Sequence, residues 1–215
     1  MSPRTKPAVP ELAGIEVQGM TRSAFILRST LAAGAVYGLG AVTPFVGEAL
    51  AQSGGGDVGI VNYALTLEYL ETAFYERAPK GLSNGVATYV KQFGAEESQH
   101  VDALTATVKQ LGGTPAPKPT FGFPDGGEAA FLKLAQTLED TGVGAYNGAA
   151  PQIQSKEVLA AAGSIVQIEA RHAAIIRVQR NQEPAPLAFD KPLTQTAVLA
   201  AVKPLITGQG PPPGT

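Results

Sequence analysis

Four stretches of the 215-residue chain repeat their apolar positions every three to four residues, the period of a helix with one face turned inward. Over 57–78, Val61, Leu65, Glu68, Thr72 and Tyr75 share a face. Over 84–111 the stripe is Val86, Tyr89 or Val90, Phe93, Glu97, His100, Leu104, Val108 and Leu111, and Gly112-Gly113 stops it. Over 127–150 it is Leu132, Ala135, Glu139, Val143, Tyr146 and Ala150, ended by Pro151. Over 155–181 it is Val158, Ala162, Ile165, Glu169, His172 and Ile176. No stretch alternates long enough to predict a useful strand. Short links around 79–83 and 151–154 make each pair of helices an antiparallel hairpin. Between the second and third helices lie fifteen residues, GGTPAPKPTFGFPDG. Extended at ~3.3 Å per residue, they span the length of a long helix. The pattern predicts an all-α fold, a four-helix bundle with one long crossover between helices 2 and 3.

Each stripe is interrupted by ionisable side chains, and a buried carboxylate without a partner is costly. The interruptions repeat. Glu68 is followed seven residues on by Tyr75, then Glu97 three residues on by His100. Glu139 is followed by Tyr146, then Glu169 by His172. Residues i and i+3 leave a helix on the same face, so each Glu-x-x-His offers one oxygen and one nitrogen to one interior point. A glutamate from each remaining helix, Glu68 and Glu139, then bridges or caps. Four carboxylates and two imidazoles are the ligand inventory of a di-iron or di-manganese carboxylate site, and two divalent ions balance four carboxylates. The chain has only two histidines, and both stand three residues after a glutamate. Chance among 13 glutamates rarely produces that.

The segments NYALTLEYLETAFYER, EESQH, LEDTGVGAYNGAA and IEARHAAIIR carry a resemblance to the ferritin-like superfamily of ferritin, bacterioferritin and rubrerythrin. Within it, the chain is similar to exported ferritin-like domain proteins related to plant desiccation-associated proteins, over about 57–181. The resemblance implies a ferritin-like four-helix bundle. It places Glu68 and Glu139 at the family's single-helix glutamates and the two Glu-x-x-His pairs at its paired ligands. It also sets Tyr75 where many members have a tyrosine beside the metals. The best-known members oxidise Fe(II) with dioxygen or peroxide.

Neighbouring residues admit simpler readings. Glu71, three after Glu68, is an alternative ligand to it. Glu96 reads as a solvated neighbour of Glu97. Tyr75 and Tyr146 are candidate catalytic side chains or, equally, core aromatics whose hydroxyls bond a ligand carboxylate. Asp102 and Asp140 are candidate partners for histidine or surface residues, and Arg171 and Arg177 read as solvated.

Composition changes the picture mainly at the ends. Residues 1–51 read as a signal peptide: Arg22 and Arg28 flank SAFIL, a small-apolar run follows from Leu31 to Val46, and Ala49-Leu50-Ala51 supplies the cleavage site. That run is too short and too rich in glycine to anchor a bilayer stably. The string from Thr21 resembles a twin-arginine motif with Ser23 in place of its second arginine, and Met20 is an alternative start. The chain is thereby expected to be exported to the periplasm, cell envelope or exterior. The bundle is expected over 52–182, and 183–215, with seven prolines after Asn181, as an extended tail in place of the short fifth helix of cage-forming ferritins. With a formal net charge of −2, nothing favours nucleic acid, and no cysteine is present for a disulfide or thiolate. The sequence leaves room for a homo-oligomer.

The functional expectation is a centre of two Fe ions, or two Mn ions, acting on dioxygen or peroxide or oxidising Fe(II). His100 and His172 would each hold one ion. The rival expectation is a non-catalytic stress or desiccation protein of the envelope that sequesters metal, with cage-type iron storage a third.

Overall fold

The computed structural model describes residues 55–208, so the expected signal peptide 1–51 and the last residues of the tail lie outside the described residues. Four long helices appear where the periodicity placed them: α1 Asp57–Glu76, α2 Asn84–Gln110, α3 Glu128–Ala149 and α4 Lys156–Gln179. Their ends have local causes. Past the end of α2 at Gln110, Gly112 with a φ of 77° takes the chain into the left-handed region, and Gly112 N–H and Gly113 N–H donate to the Lys109 and Val108 carbonyls. α4 begins at Ser155, whose hydroxyl accepts from Val158 N–H at 3.2 Å. The Asp57 carboxylate in the first turn of α1 accepts from Gln154 N–H and Ser155 N–H at 2.8 and 2.7 Å, tying the α3–α4 link to the start of α1.

α1 packs chiefly on α2, and α3 on α4, so the bundle is two hairpins that meet along α1–α3 and α2–α4. The expected all-α bundle with one long crossover is the observed architecture.

Three expectations need correcting. First, α1 is buried on most of its circumference, not along one stripe: Tyr63, Leu67, Leu70, Glu71, Ala73 and Phe74 are covered as well. The crossover and α3 are the reason. Asn62 donates to the Thr114 carbonyl at 3.0 Å and accepts from Ala116 N–H at 2.7 Å, and Phe74 packs edge-on against Phe123 and stacks on Phe131.

Second, the tail is exposed and extended over 181–192, as expected, but packs onto the bundle from Leu193 to residue 208. Gln195–Val202 form a short helix, α5, capped by the Thr194 hydroxyl, and Val198, Leu199, Val202 and Leu205 join the main core. Ile206–Gly208 (β2) then pairs antiparallel with Thr120–Phe121 (β1) of the crossover. The approach depends on small residues of α3. Leu193 N–H donates to the Gly144 carbonyl at 2.8 Å, and a Cβ on Gly148 would stand 1.9 Å from the Leu193 carbonyl oxygen. A short fifth helix therefore exists, lying against α3 of its own chain, and the reasoning that the tail replaces such a helix falls. Third, Leu111 at the end of the α2 stripe is exposed, because α2 closes one residue before it.

Candidate metal centre

Half-way along the bundle, one turn from each of the four helices faces its axis with a carboxylate. Glu68 from α1, Glu97 from α2, Glu139 from α3 and Glu169 from α4 are each 0% exposed. Phe93, stacked on the His172 ring at 4.0 Å between centroids, forms one apolar wall. Gly94, where a Cβ would meet Tyr75 Cβ at 3.1 Å, lets α2 approach α1 closely at this level.

The two imidazoles enter between the carboxylates. His100 Nδ1 lies 2.9 Å from Glu97 Oε2 and 3.2 Å from both Glu68 Oε2 and Glu169 Oε1. His172 Nδ1 lies 2.9 Å from Glu97 Oε1 and 3.4 Å from Glu139 Oε2. The six residues separate into two quartets of ligand atoms, each within 4.8 Å. One is Glu68, Glu97, His100 and Glu169; the other is Glu97, Glu139, Glu169 and His172. Glu97 and Glu169 belong to both. Of the two expected roles for Glu68 and Glu139, bridging or capping, the arrangement corresponds to capping: the shared carboxylates come from the Glu-x-x-His pairs, and Glu68 and Glu139 serve one quartet each. The reason is geometric, because α2 and α4 each present their glutamate to both histidines.

Several of these atoms are close without being bonded to one another. Glu97 Oε1, Glu139 Oε2, both oxygens of Glu169 and His172 Nδ1 are buried and have no hydrogen-bond partner. Nitrogen and oxygen atoms about 3 Å apart yet misaligned converge on shared points instead of pairing, and buried polar atoms are seldom left so. Carboxylate oxygens with imidazole nitrogens form a donor set suited to iron or manganese. The residues present fit such ions.

The tyrosines cross between hairpins. Tyr75 of α1 donates to Glu139 Oε1 on α3, and Tyr146 of α3 donates to Glu68 Oε1 on α1 at 2.5 Å. Each hydroxyl occupies one oxygen of the glutamate that belongs to a single quartet. Burial, followed by the charge of the same glutamate, pushes both phenols well above the usual tyrosine range.

The electrostatics without ions are those of packed carboxylates held by imidazolium. Burial alone would lower the histidines, but the carboxylates outweigh it and raise His100 to about 12 and His172 to about 11. Burial raises Glu68 to about 7 and Glu169 well above the ordinary range. Glu97 goes the other way: burial opposes ionisation, but the hydrogen bond from His100 and the positive charge of His172 bring it to about 2.

Four neighbouring readings change or gain detail. Glu96 is not simply solvated, since its Oε2 lies 2.7 Å from His172 Nε2. It orients that ring so that Nδ1 faces the cluster, as carboxylates behind metal-binding histidines do. The position just before Glu97 in α2 pointed to no such role, because the contact crosses from α2 to α4. Arg177, expected to be solvated, pairs with Asp140 at 2.6 Å. Asp102 and Arg171 are exposed. Glu71 is buried beside the cluster but stands outside both quartets.

The fold and the interior cluster define a helical-bundle protein with a carboxylate–imidazole site compatible with metal. The profile of the ferritin-like domain family matches residues 56–182, and the chain belongs to that family. No curated protein matches the chain significantly.

Proposed function

We propose that the chain holds a dinuclear iron or manganese centre and works as an exported oxidoreductase on dioxygen or peroxide, or in Fe(II) oxidation. The observation that carries the reading is the pair of ligand quartets sharing Glu97 and Glu169. His100, Glu68 and the shared pair would hold one ion; His172, Glu139 and the shared pair the other. Two redox-active ions there would supply the electrons for reducing dioxygen or peroxide. The chain's own groups do the rest. Tyr75 and Tyr146 fix the Glu139 and Glu68 carboxylates in orientation and keep a proton beside each. Glu96 holds the His172 ring, and Phe93 excludes water on that side. Export rests on the sequence of 1–51.

A non-catalytic, metal-sequestering role in stress or desiccation is favoured by one observation. The four carboxylates are fully enclosed and only His100, 11% exposed, reaches the surface, which suits slow exchange.

Elemental analysis of the full chain purified without chelator, followed by dioxygen and peroxide consumption assays, tests both readings. About two Fe or Mn per chain with turnover is expected. Two ions without turnover would leave sequestration. Glu97→Ala combined with His100→Ala should remove most bound metal and leave the helical signal. Unchanged metal content in that variant would refute the site.

A further inference from the structure

The internal repeat sets two small cavities against each other, one at either end of the centre. An offset of 71 residues carries α1 onto α3, Glu68 to Glu139 and Tyr75 to Tyr146. An offset of 72 carries α2 onto α4, Glu97 to Glu169 and His100 to His172. Under these offsets, nine of the eleven residues lining the cavity at Tyr75 fall on residues lining the cavity at Tyr146. The two are one site built twice, and they differ in how they are filled. The lining at Tyr75 includes Phe131 and Tyr89, where the lining at Tyr146 has Ile60 and Ala161. The first leaves about 10 Å³ of room for a molecule the size of water, the second about 20 Å³.

The Tyr146 cavity is apolar and reaches the ligands. Its lining extends from exposed Ala161 and half-buried Thr107 to buried Tyr146, whose hydroxyl donates to Glu68. The Thr107 hydroxyl donates to the Ala103 carbonyl. Of the hydroxyls along the lining, only that of Tyr63 lacks a partner. A held water needs roughly two to four polar partners, and a cavity without them stays dry and takes small apolar molecules. Peroxide, which must also keep its hydrogen bonds, is served no better than water. Dioxygen is apolar and diatomic, and asks for none.

We infer that the Tyr146 cavity is a one-sided binding site for dioxygen, on the Glu68 side of the centre. Aromatic side chains close the equivalent place at Tyr75. The substrate offered to the ligands from this side is dioxygen and not peroxide. Its use there rests on the dinuclear reading above, whereas the binding itself does not.

The probe is dissolved dioxygen, whose paramagnetism speeds the nuclear relaxation of nearby methyl groups, applied under pressure to the metal-free full chain. Leu104 and Val158 line one cavity, their counterparts Ile176 and Val86 the other, and none of the four is more than 6% exposed. Added relaxation at Leu104 and Val158 should exceed that at Ile176 and Val86 at least about twofold, following the two volumes. Ala161→Tyr gives this cavity the side chain of its filled counterpart and should abolish the difference. Tyr89→Ala opens the filled cavity and should bring Ile176 and Val86 up to the level of the other pair. It carries the test if Ala161→Tyr does not fold, as circular dichroism would show. Equal relaxation of the two pairs in the unaltered chain, or a difference that both variants leave intact, overturns the proposal while the dinuclear reading stands. Metal-loaded protein that consumes no dioxygen, with Leu104 and Val158 still relaxed by it, overturns the dioxygen reading of the centre and leaves the cavity.

Discussion

Loading the centre should be a proton-releasing reaction, and the geometry fixes a lower bound on the count. Without ions, His100 and His172 titrate at about 12 and about 11. Across the neutral range both rings therefore carry two protons, including one on the Nδ1 atoms that face the quartets. A nitrogen cannot hold a proton and a metal ion together, so two ions displace at least two protons. Each unit of pH lowers the proton activity tenfold, so the constant for loading both ions should rise roughly 100-fold per unit. Below about pH 7 a further proton leaves from Glu68, and the dependence should steepen. Stability of the metal-free chain follows the same signs. Glu68 is raised from 4.5 to about 7, so its contribution is full below 4.5 and is lost as pH rises through about 7. The histidine contributions are full below 6.5 and are lost only as pH rises through about 11 to 12. The metal-free protein should thus melt lower at about pH 8 than at about pH 5, and loading should reverse that trend. Calorimetric Mn(II) titration of chelator-stripped protein, in two buffers of different ionisation enthalpy, counts the protons directly. Release of less than about one proton per loaded chain, or an affinity indifferent to pH, would refute the imidazolium–carboxylate description of the empty cluster.

Two further outcomes test the surroundings. Tyr146→Phe removes a buried hydroxyl that donates to Glu68 and should cost about 1–3 kcal/mol in urea unfolding of the metal-free chain; no loss would show the contact to be idle. Gly148→Ala sets a Cβ against the Leu193 carbonyl and should destabilise by about 1–3 kcal/mol. Limited proteolysis should then cut between α4 and α5 faster than in the unaltered protein.

Much of this arrangement was legible before any coordinates, because the residues that build it are local. Each helix announced itself by period and by its stops, such as Gly112-Gly113 and Pro151, and Glu-x-x-His is a spacing within one helix. What stayed hidden is what depends on contacts between distant segments. Glu96 reads as solvated until α4 brings His172 to it. α5 hides among prolines because the space that receives it belongs to Gly144 and Gly148, some fifty residues earlier. The shared role of Glu97 and Glu169 is set by the angle at which two hairpins meet, which no spacing encodes.

The reciprocal tyrosine bonds also bear on how the molecule assembles. Tyr75 and Glu139 sit in different hairpins, as do Tyr146 and Glu68. Contacts within each hairpin close short stretches of chain and form early, whereas contacts between hairpins join residues more than sixty positions apart. The seam between the hairpins is thus the last surface to close, and it holds the buried charges. Parting along that seam would expose the ligands to solvent with each hairpin intact, once the Asp57 bonds to Gln154 and Ser155 are released. Ions bound there would rivet the two halves together, and the rate at which they leave would measure how often the seam opens.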